Sequence, residues 1–367
     1  MESRNFLILR LSAIGDVIRT IPAVKVLKEQ CPSSHIAWMV EEPSKALLES
    51  QPEIDEVILF PRKRWTEGIK SPHKIWRTLR EMLKFILDLR KQRFDVVLDF
   101  HGFLKSGLVS FLSGAPKRIG FDRRSSQEGN FLFSNVKVSL SNGKVSRFKR
   151  NFVLLKGIGL EIKPLLHGRG YPGFVREKPN LHIPPKDFKY IESFFLNTWS
   201  TPPKRPWIAL HSGTSSKTVY KRWMSGRYSE LADRLVHELG ATTIFTWGPG
   251  ELSWVEEIRT KMMGPSVIGP KTESLTQLGE LFRRCDLYIG GDTGPMHIAS
   301  LMGIPVVVIY GPTDPVVNEP FGPHKKIIKE VGCNPCRKRS CKELTCLKAV
   351  TADDVFKAVK EIMNVTD

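Results

Sequence analysis

Apolar residues recur along this chain in two rhythms that take turns. Phe6 to Leu9, followed by Leu11, form a short continuous apolar run of the kind found in strands buried on both faces. Ser12-Ala13-Ile14-Gly15 turns the chain, and Val17, Ile18, Ile21, Val24 and Leu27 then follow at helical spacing. "HIAWMVEE" and "EVILF" read as two further short strands with a helical stretch between them. In "SPHKIWRTLREMLKFILDLRKQRF" the residues Ile75, Leu79, Met82, Ile86 and Leu89 share one predicted helix face, with Ser71-Pro72 at its start. "DVVLDFHG" closes the series as a buried strand that ends in polar residues and Gly102.

The pattern breaks at residues 166–185, within a stretch rich in proline and glycine that reads as a linker. Beyond it the alternation resumes. "WIALHSG", "ATTIFTWGPG", "DLYIGGDTG" and "PVVVIYGP" are predicted strands that run into glycine-bearing loops. The expected architecture is α/β: a doubly wound domain over residues 1–165 and a second over 186–350, facing each other across a cleft. The closing segment, about 351–367, opens with Thr351 and has Asp354 three residues on, the spacing of a capping box. It is expected to cross back and pack on the first domain.

Length and charge narrow the function. A chain of 367 residues is long for one core, which favours two domains. No apolar run is long enough to cross a bilayer, and the strand-like start lacks the pattern of a signal peptide, so a cytoplasmic, soluble or peripheral protein is expected. The formal charge of +18 is uneven, with 30 Lys and Arg against 17 Asp and Glu over residues 1–170, and 26 against 21 beyond. A basic first half attracts polyanions: nucleic acid, phosphorylated glycolipid or an anionic membrane surface.

The candidate chemistry lies where strands hand over to helices, the edge at which open α/β sheets bind ligands. Asp16 stands at the first such junction, where it can cap the helix or take a proton. "GGDTGPMHIAS" places Asp292, Thr293 and Gly294 at a predicted helix start, with Pro295 suited to its first turn, and outward amides there suit a phosphate. In "HSGTSSKTVYKRW" the hydroxyls of Thr214 and Ser215 precede Lys221, a set that suits a pyrophosphate leaving group. Glu251 in "WGPGE" can accept ribose hydroxyls or simply start a helix in solvent. Three such loops on one sheet edge describe a nucleoside-diphosphate site. In the first half, Arg62, Arg64 and Lys105 are bases suited to an acidic acceptor, and each reads equally as a solvated cation. Cys333, Cys336, Cys341 and Cys346 lie within residues 333–346 with C-x2-C-x4-C-x4-C spacing, which in a reducing compartment favours a structural zinc or iron over disulfides.

The segments "SAIGDVIRTIPAV", "DFHGFLKSG", "IGFDRRS", "HSGT…KRW", "WGPGE" and "GGDTGPMHIASLMGIPVVVIYGPTDP" together resemble the bacterial ADP-heptose:lipopolysaccharide heptosyltransferases, glycosyltransferase family nine, over nearly the whole chain. Within that family "RKRW…SPHKIWR…DFHGFLKS" is most like the heptosyltransferase I group, which adds the first heptose to Kdo. The resemblance implies a GT-B fold and an inverting transfer from ADP-heptose to a Kdo-lipid A acceptor that requires no metal for catalysis. It puts Asp16 on the catalytic base and Thr214, Ser215 and Lys221 on the pyrophosphate. Glu251 falls on the ribose contact, Asp292, Thr293 and Gly294 on the donor-phosphate loop, and His297 one turn beyond. Arg62, Arg64 and Lys105 would face the acceptor, at the inner face of an anionic inner membrane. Two positions depart from the family: His101 replaces a common glutamine, and Gln127 stands where an arginine usually precedes the glutamate Glu128. Three rival readings stay open: the same donor on another acceptor, a GT-B sugar epimerase, and a nucleic-acid-binding protein on a decayed transferase. The intact Asp16, Lys221 and "GGDTGP" loop argue against the last.

Overall fold

The computed structural model describes residues 3–141, 143–161, 181–336 and 338–365, and the chain divides into two compact units, Met1–His167 and Gly168–Asp367. In the first unit the apolar runs become the strands β1 (Asn5–Leu9), β2 (His35–Val40), β3 (Glu56–Leu59), β4 (Val96–Asp99), β5 (Lys117–Phe121) and β6 (Val136–Val138). They form one sheet in the order β3-β2-β1-β4-β5-β6, with every neighbour parallel. Parallel sheets are covered on both faces, which is why β1 and β4 carry almost no polar side chain: Phe6, Leu7, Ile8, Leu9, Val97 and Leu98 are fully buried.

The helices of this unit are α1 (Ile14–Ile18), α2 (Ile21–Gln30), α3 (Lys45–Glu49), α4 (Arg62–Ile69), α5 (Ile75–Lys91), α6 (Leu104–Leu112) and α7 (Arg147–Leu154). The first predicted helix is two, since a turn at Arg19-Thr20 separates α1 from α2, which begins with Ile21-Pro22. In α5 the face turned to the core runs through Met82, Phe85 and Leu89. Leu79, assigned from periodicity to the inner face, is instead 43% exposed.

The second unit repeats the plan. Its strands β7 (Trp207–His211), β8 (Thr242–Thr246), β9 (Val267–Ile268), β10 (Leu287–Gly291), β11 (Val306–Ile309) and β12 (His324–Ile327) form a parallel sheet in the order β12-β11-β10-β7-β8-β9. Its helices are α8 (Pro185–Thr198), α9 (Ser225–Leu239), α10 (Leu252–Thr260), α11 (Leu275–Arg283), α12 (Gly294–Leu301), α13 (Thr345–Lys348) and α14 (Ala352–Met363). Each sheet has the doubly wound order 3-2-1-4-5-6 in its own numbering, so each has one point where the winding reverses, between β1 and β4 and between β7 and β10.

The capping box of α14 forms as its sequence suggests: the Asp354 amide donates to Thr351 Oγ1 at 3.1 Å and the Thr351 amide to Asp354 Oδ2 at 2.9 Å. Val355, Phe356, Ala358 and Val359 are built into the core of the second unit, beside Leu231, Leu235 and Ile309. Residues 166–180 of the expected linker lie outside the described residues. Among the described residues no helix is long and apolar enough to cross a membrane.

Candidate active site

In the first unit the reversal point gathers charge. β1 ends at Leu9, and the next residue, Arg10, has a largely enclosed side chain, 11% exposed. Its Nη2 lies 2.7 Å from Asp16 Oδ2, while its Nη1 donates to the Phe100 carbonyl at the end of β4 at 2.6 Å. From far along the chain, α7 adds Arg147, whose Nη1 donates to Asp16 Oδ1 at 3.0 Å, and Arg19 Nη1 stands 3.6 Å from the same oxygen. The position of Arg147 is fixed one turn on by Asn151, which donates to the Arg19 carbonyl at 2.9 Å and to Thr20 Oγ1 at 3.1 Å. Burial alone would raise the Asp16 carboxyl, but Arg10, Arg19 and Arg147 outweigh it and hold it down at about 2. Asp16 is thus an anion enclosed by cations, and its carboxylate serves those guanidiniums.

Positive charge exceeds negative here. Arg150 lies over the Phe121 ring at 3.8 Å, and burial, with Arg10 close by, lowers its guanidinium to about 10. His101 is neutral for the same reasons: burial first, then Arg10 and Lys105, bring it to about 3. Asp99, at the end of β4, is spent on two backbone amides and two side chains. It accepts from the amides of His101 and Gly102 at 3.0 Å each, from Ser106 Oγ at 2.9 Å and from Asn130 Nδ2 at 2.7 Å, which fixes the turn into α6. Both departures from the family pattern meet at that turn, His101 as part of it and Gln127 by a contact from the loop after β5. Gln127 donates its amide to the Gly102 carbonyl at 2.9 Å, and Glu128 Oε2 accepts from the Leu104 amide at 3.2 Å.

The three candidate acceptor cations do not stay together. Arg62 Nε and Lys105 Nζ converge on Glu41 Oε1, at 3.0 and 3.2 Å. Arg64 turns to Glu81 Oε1 at 2.5 Å, shared with Arg77.

In the second unit the reversal point assembles the three predicted loops. After β7 the backbone at Gly213 runs directly against Glu251, since a Cβ there would fall 2.1 Å from Glu251 Oε2. Within β10, a Cβ on Gly290 would stand 2.7 Å from the His211 carbonyl oxygen. Both glycines are therefore required by close approach. Glu251 is buried, and its Oε2 accepts from the Gly248 amide at 2.8 Å. His211 Nε2 lies 3.8 Å from Glu251 Oε2, yet burial, with Arg222 close by, lowers that imidazole to about 4 and keeps it neutral. Lys221 Nζ donates to the Asp292 carbonyl at 3.3 Å and lies 3.5 Å from its Oδ2. Thr293, at the start of α12, makes no side-chain cap. Its hydroxyl donates back to the Gly291 carbonyl at 3.4 Å, and Gly294 faces open space. The start of an uncapped helix beside a lysine is a place for an anion.

Thr214 Oγ1 donates to the Thr218 carbonyl at 3.1 Å and Ser215 Oγ shares a hydrogen bond with Thr218 Oγ1 at 2.9 Å, so these hydroxyls shape the turn that carries Lys221. His297 is buried inside α12, where its carbonyl accepts the Ser300 hydroxyl. Of the four clustered cysteines, Cys333 is exposed, Cys336 and Cys341 are half-buried and Cys346 is buried. Among the described residues no three of His, Cys, Asp and Glu form a metal-holding group.

Sequence reasoning missed Arg10, Arg147, Arg150 and Asp99. Arg10 and Asp99 had a signal, as charged residues at the ends of apolar strands, but Arg147 meets Asp16 across 131 residues and nothing local marks it.

Two parallel sheets of doubly wound order, each with polar loops at its reversal point, give the chain the GT-B fold. The chain belongs to glycosyltransferase family 9 (heptosyltransferase), whose profile matches residues 82–347. It is 28% identical to the lipopolysaccharide core heptosyltransferase OpsX of Haemophilus influenzae, over 87% of this chain and 82% of that protein. It is 25% identical to lipopolysaccharide heptosyltransferase 1 of Pseudomonas aeruginosa, over 91% of this chain and 86% of that one. Among solved structures, the family 9 glycosyl transferase of Veillonella parvula superposes with a TM-score of 0.74 at 23% identity, covering 99% of this chain and 98% of that one. The E. coli heptosyltransferase WaaC with ADP gives 0.71 at 21%, covering 98% of this chain and 99% of that one.

Proposed function

We propose that this protein is a lipopolysaccharide core heptosyltransferase that moves L-glycero-D-manno-heptose from ADP-heptose to a Kdo residue of Kdo-lipid A, with inversion and with Asp16 as general base. The observation that carries the reading is the charge set around Asp16: one carboxylate among Arg10, Arg19 and Arg147, with Arg150 beside Arg10. Such an excess of partly buried positive charge calls for an anionic ligand, and a Kdo sugar carries a carboxylate. The two relatives of Haemophilus influenzae and Pseudomonas aeruginosa described above, which match most of the chain, are themselves named lipopolysaccharide heptosyltransferases, which supports the same activity here.

The step is a single displacement. The acceptor hydroxyl attacks the anomeric carbon, its proton passes to Asp16, and the bond from that carbon to the ADP oxygen breaks with its electron pair on ADP. With its carboxyl at about 2, Asp16 is a weak base in the free enzyme. The acceptor carboxylate changes that: once it occupies the guanidiniums, less positive charge acts on Asp16 and its proton affinity rises. Lys221 and the amides at the start of α12 receive the leaving diphosphate, with Asp292 orienting the lysine and Thr293 and Gly294 lining the phosphate. Thr214 and Ser215 border the pyrophosphate, Glu251 takes the ribose hydroxyls, and His297 supports α12 from inside. Arg62 and Lys105 meet the acceptor from the side of Glu41. The step as written uses no metal. The setting is the cytoplasmic face of an anionic inner membrane, where a lipid-borne acceptor is presented.

The test is ADP release from ADP-heptose, with and without Kdo-lipid A, in the native protein and in Asp16→Ala. Release that needs the acceptor and is lost in the variant supports the whole reading. Donor binding with no release on any Kdo acceptor moves the acceptor elsewhere, a second reading that His101 and Gln127 favour because His101 lies on the turn into α6 and Gln127 hydrogen-bonds to it at Gly102. Failure to bind ADP-heptose at all contradicts the proposal.

A further inference from the structure

The outer faces of α5 and α6 are apolar where a surface helix is ordinarily polar. On α5, Trp76, Leu79, Leu83 and Leu87 follow one another at intervals of three and four residues, and are 75%, 43%, 61% and 49% exposed. On α6, Leu104, Leu108 and Phe111 do the same at 49%, 45% and 51%. The two stripes belong to one surface, since Arg90 Nε in the last turn of α5 donates to the Leu112 carbonyl at the end of α6 at 2.8 Å. Isolated exposed leucines need no explanation, but seven large apolar side chains on two adjoining helices form a patch that marks a contact.

The charge beside the patch identifies the contact. Within α5 there are five Arg and Lys and two acids. Both acids are already paired, Glu81 with Arg64 and Arg77, and Asp88 with Lys91. Arg80 and Lys84 are exposed and follow Leu79 and Leu83 directly in sequence, so they flank the apolar stripe on one side. The guanidinium of Arg118 lies over the Phe111 ring, 5.6 Å from its centre. The α6 segment carries no acid at all. An apolar face edged by long cationic side chains fits the boundary between acyl chains and anionic headgroups, with leucines and tryptophan below it and cations at phosphate level.

We propose that the α5–α6 face of the first unit docks on an anionic phospholipid bilayer. The docking face also begins next to the acceptor cations, because Leu104 immediately precedes Lys105 on α6. A lipid anchor buried under this face would therefore hold its sugar near the residues assigned to receive it. The proposal rests on the membrane-surface part of the reading above, and its test uses neither donor nor acceptor, so the two can fail separately.

The experiment is co-flotation of the full chain with vesicles of phosphatidylcholine alone and with about 30 mol% phosphatidylglycerol. Binding is expected only to the second set. The double variant Leu83→Glu/Leu108→Glu should lower it on the order of tenfold or more. Arg80→Gln/Lys84→Gln should lower it about fivefold per cation removed. Unchanged thermal unfolding and unchanged turnover on a detergent-dispersed acceptor would show that both variants are folded. Equal binding to neutral vesicles, no binding to either set, or full binding by the leucine variant would overturn the proposal. So would a native dimer in solution that the leucine variant converts to monomer, because the patch would then be a contact between two copies.

Discussion

At the scale of the residue, Asp16 shows how surroundings set what a carboxylate can do. Its carboxyl lies at about 2 because Arg10, Arg19 and Arg147 overcome the cost of burying it. A carboxylate lowered in this way stabilises the fold above its unfolded value near 3.8, and that contribution is lost as pH falls toward 2. Removing one cation should move it back. Arg147→Gln is expected to shift the acid limb of kcat/KM upward and to weaken the acceptor at least tenfold, while donor affinity holds. A pH profile of kcat/KM, with donor binding measured by calorimetry, checks both, and an unmoved limb would mean that Arg147 does not act on Asp16. Asp16 was legible in the sequence because it follows a buried strand and a tight turn. Its cations from α7 were not, since only folding brings residue 147 to residue 16.

At the scale of the element, short loops at the strand ends form the candidate site, and their geometry depends on what they lack. Gly213 has no side chain because Glu251 occupies the space a Cβ would need. Gly213→Ala must push that carboxylate or the loop aside, at a cost of about 1–3 kcal/mol. The expected result is a KM for ADP-heptose raised tenfold or more with a smaller change in kcat, measured by steady-state kinetics. If KM is unchanged, Glu251 is not in the donor site. At the other end of the unit, Thr351→Ala removes the capping box of α14 and should cost about 1 kcal/mol, read as a lowered midpoint in denaturant unfolding. Strands buried on both faces, such as β1, β4, β7 and β11, were plain from their apolar runs. The capping box was equally plain, because its signal lies within four residues. What packs against α14 was not, because an amphipathic helix states that it has a buried face but does not say which core receives it. The same limit applies to α5, where helical periodicity placed Leu79 inside and the fold leaves it out.

At the scale of the whole molecule, buried neutral histidines make stability depend on pH. His211 titrates at about 4 and His101 at about 3, both far below the usual 6.5, so the unfolded chain takes up protons before the folded one. The stability they contribute is complete above pH 6.5 and is lost progressively as pH falls toward those values, at about 1.4 kcal/mol per unit for each. Urea unfolding should therefore weaken steadily from pH 7 to about 4.5. His211→Gln should reduce that slope, and a flat profile in the native protein would contradict the buried neutral state. Both doubly wound halves could be read from the alternation of strand and helix, and so could the position of three polar loops at the strand ends of the second half. The charge balance of the first half was visible only as a sum, and the fold converts part of it into a cluster around one acid and part into the edge of an apolar face.

The most direct test of the account is single-turnover transfer by Asp16→Asn, saturated with ADP-heptose and Kdo-lipid A. The account predicts that the rate of heptose transfer falls by about 10²–10⁴. ADP-heptose affinity should stay within about twofold of the native value, because the donor residues all lie in the second unit. A variant that transfers heptose at close to the native rate would show that Asp16 does not take the proton.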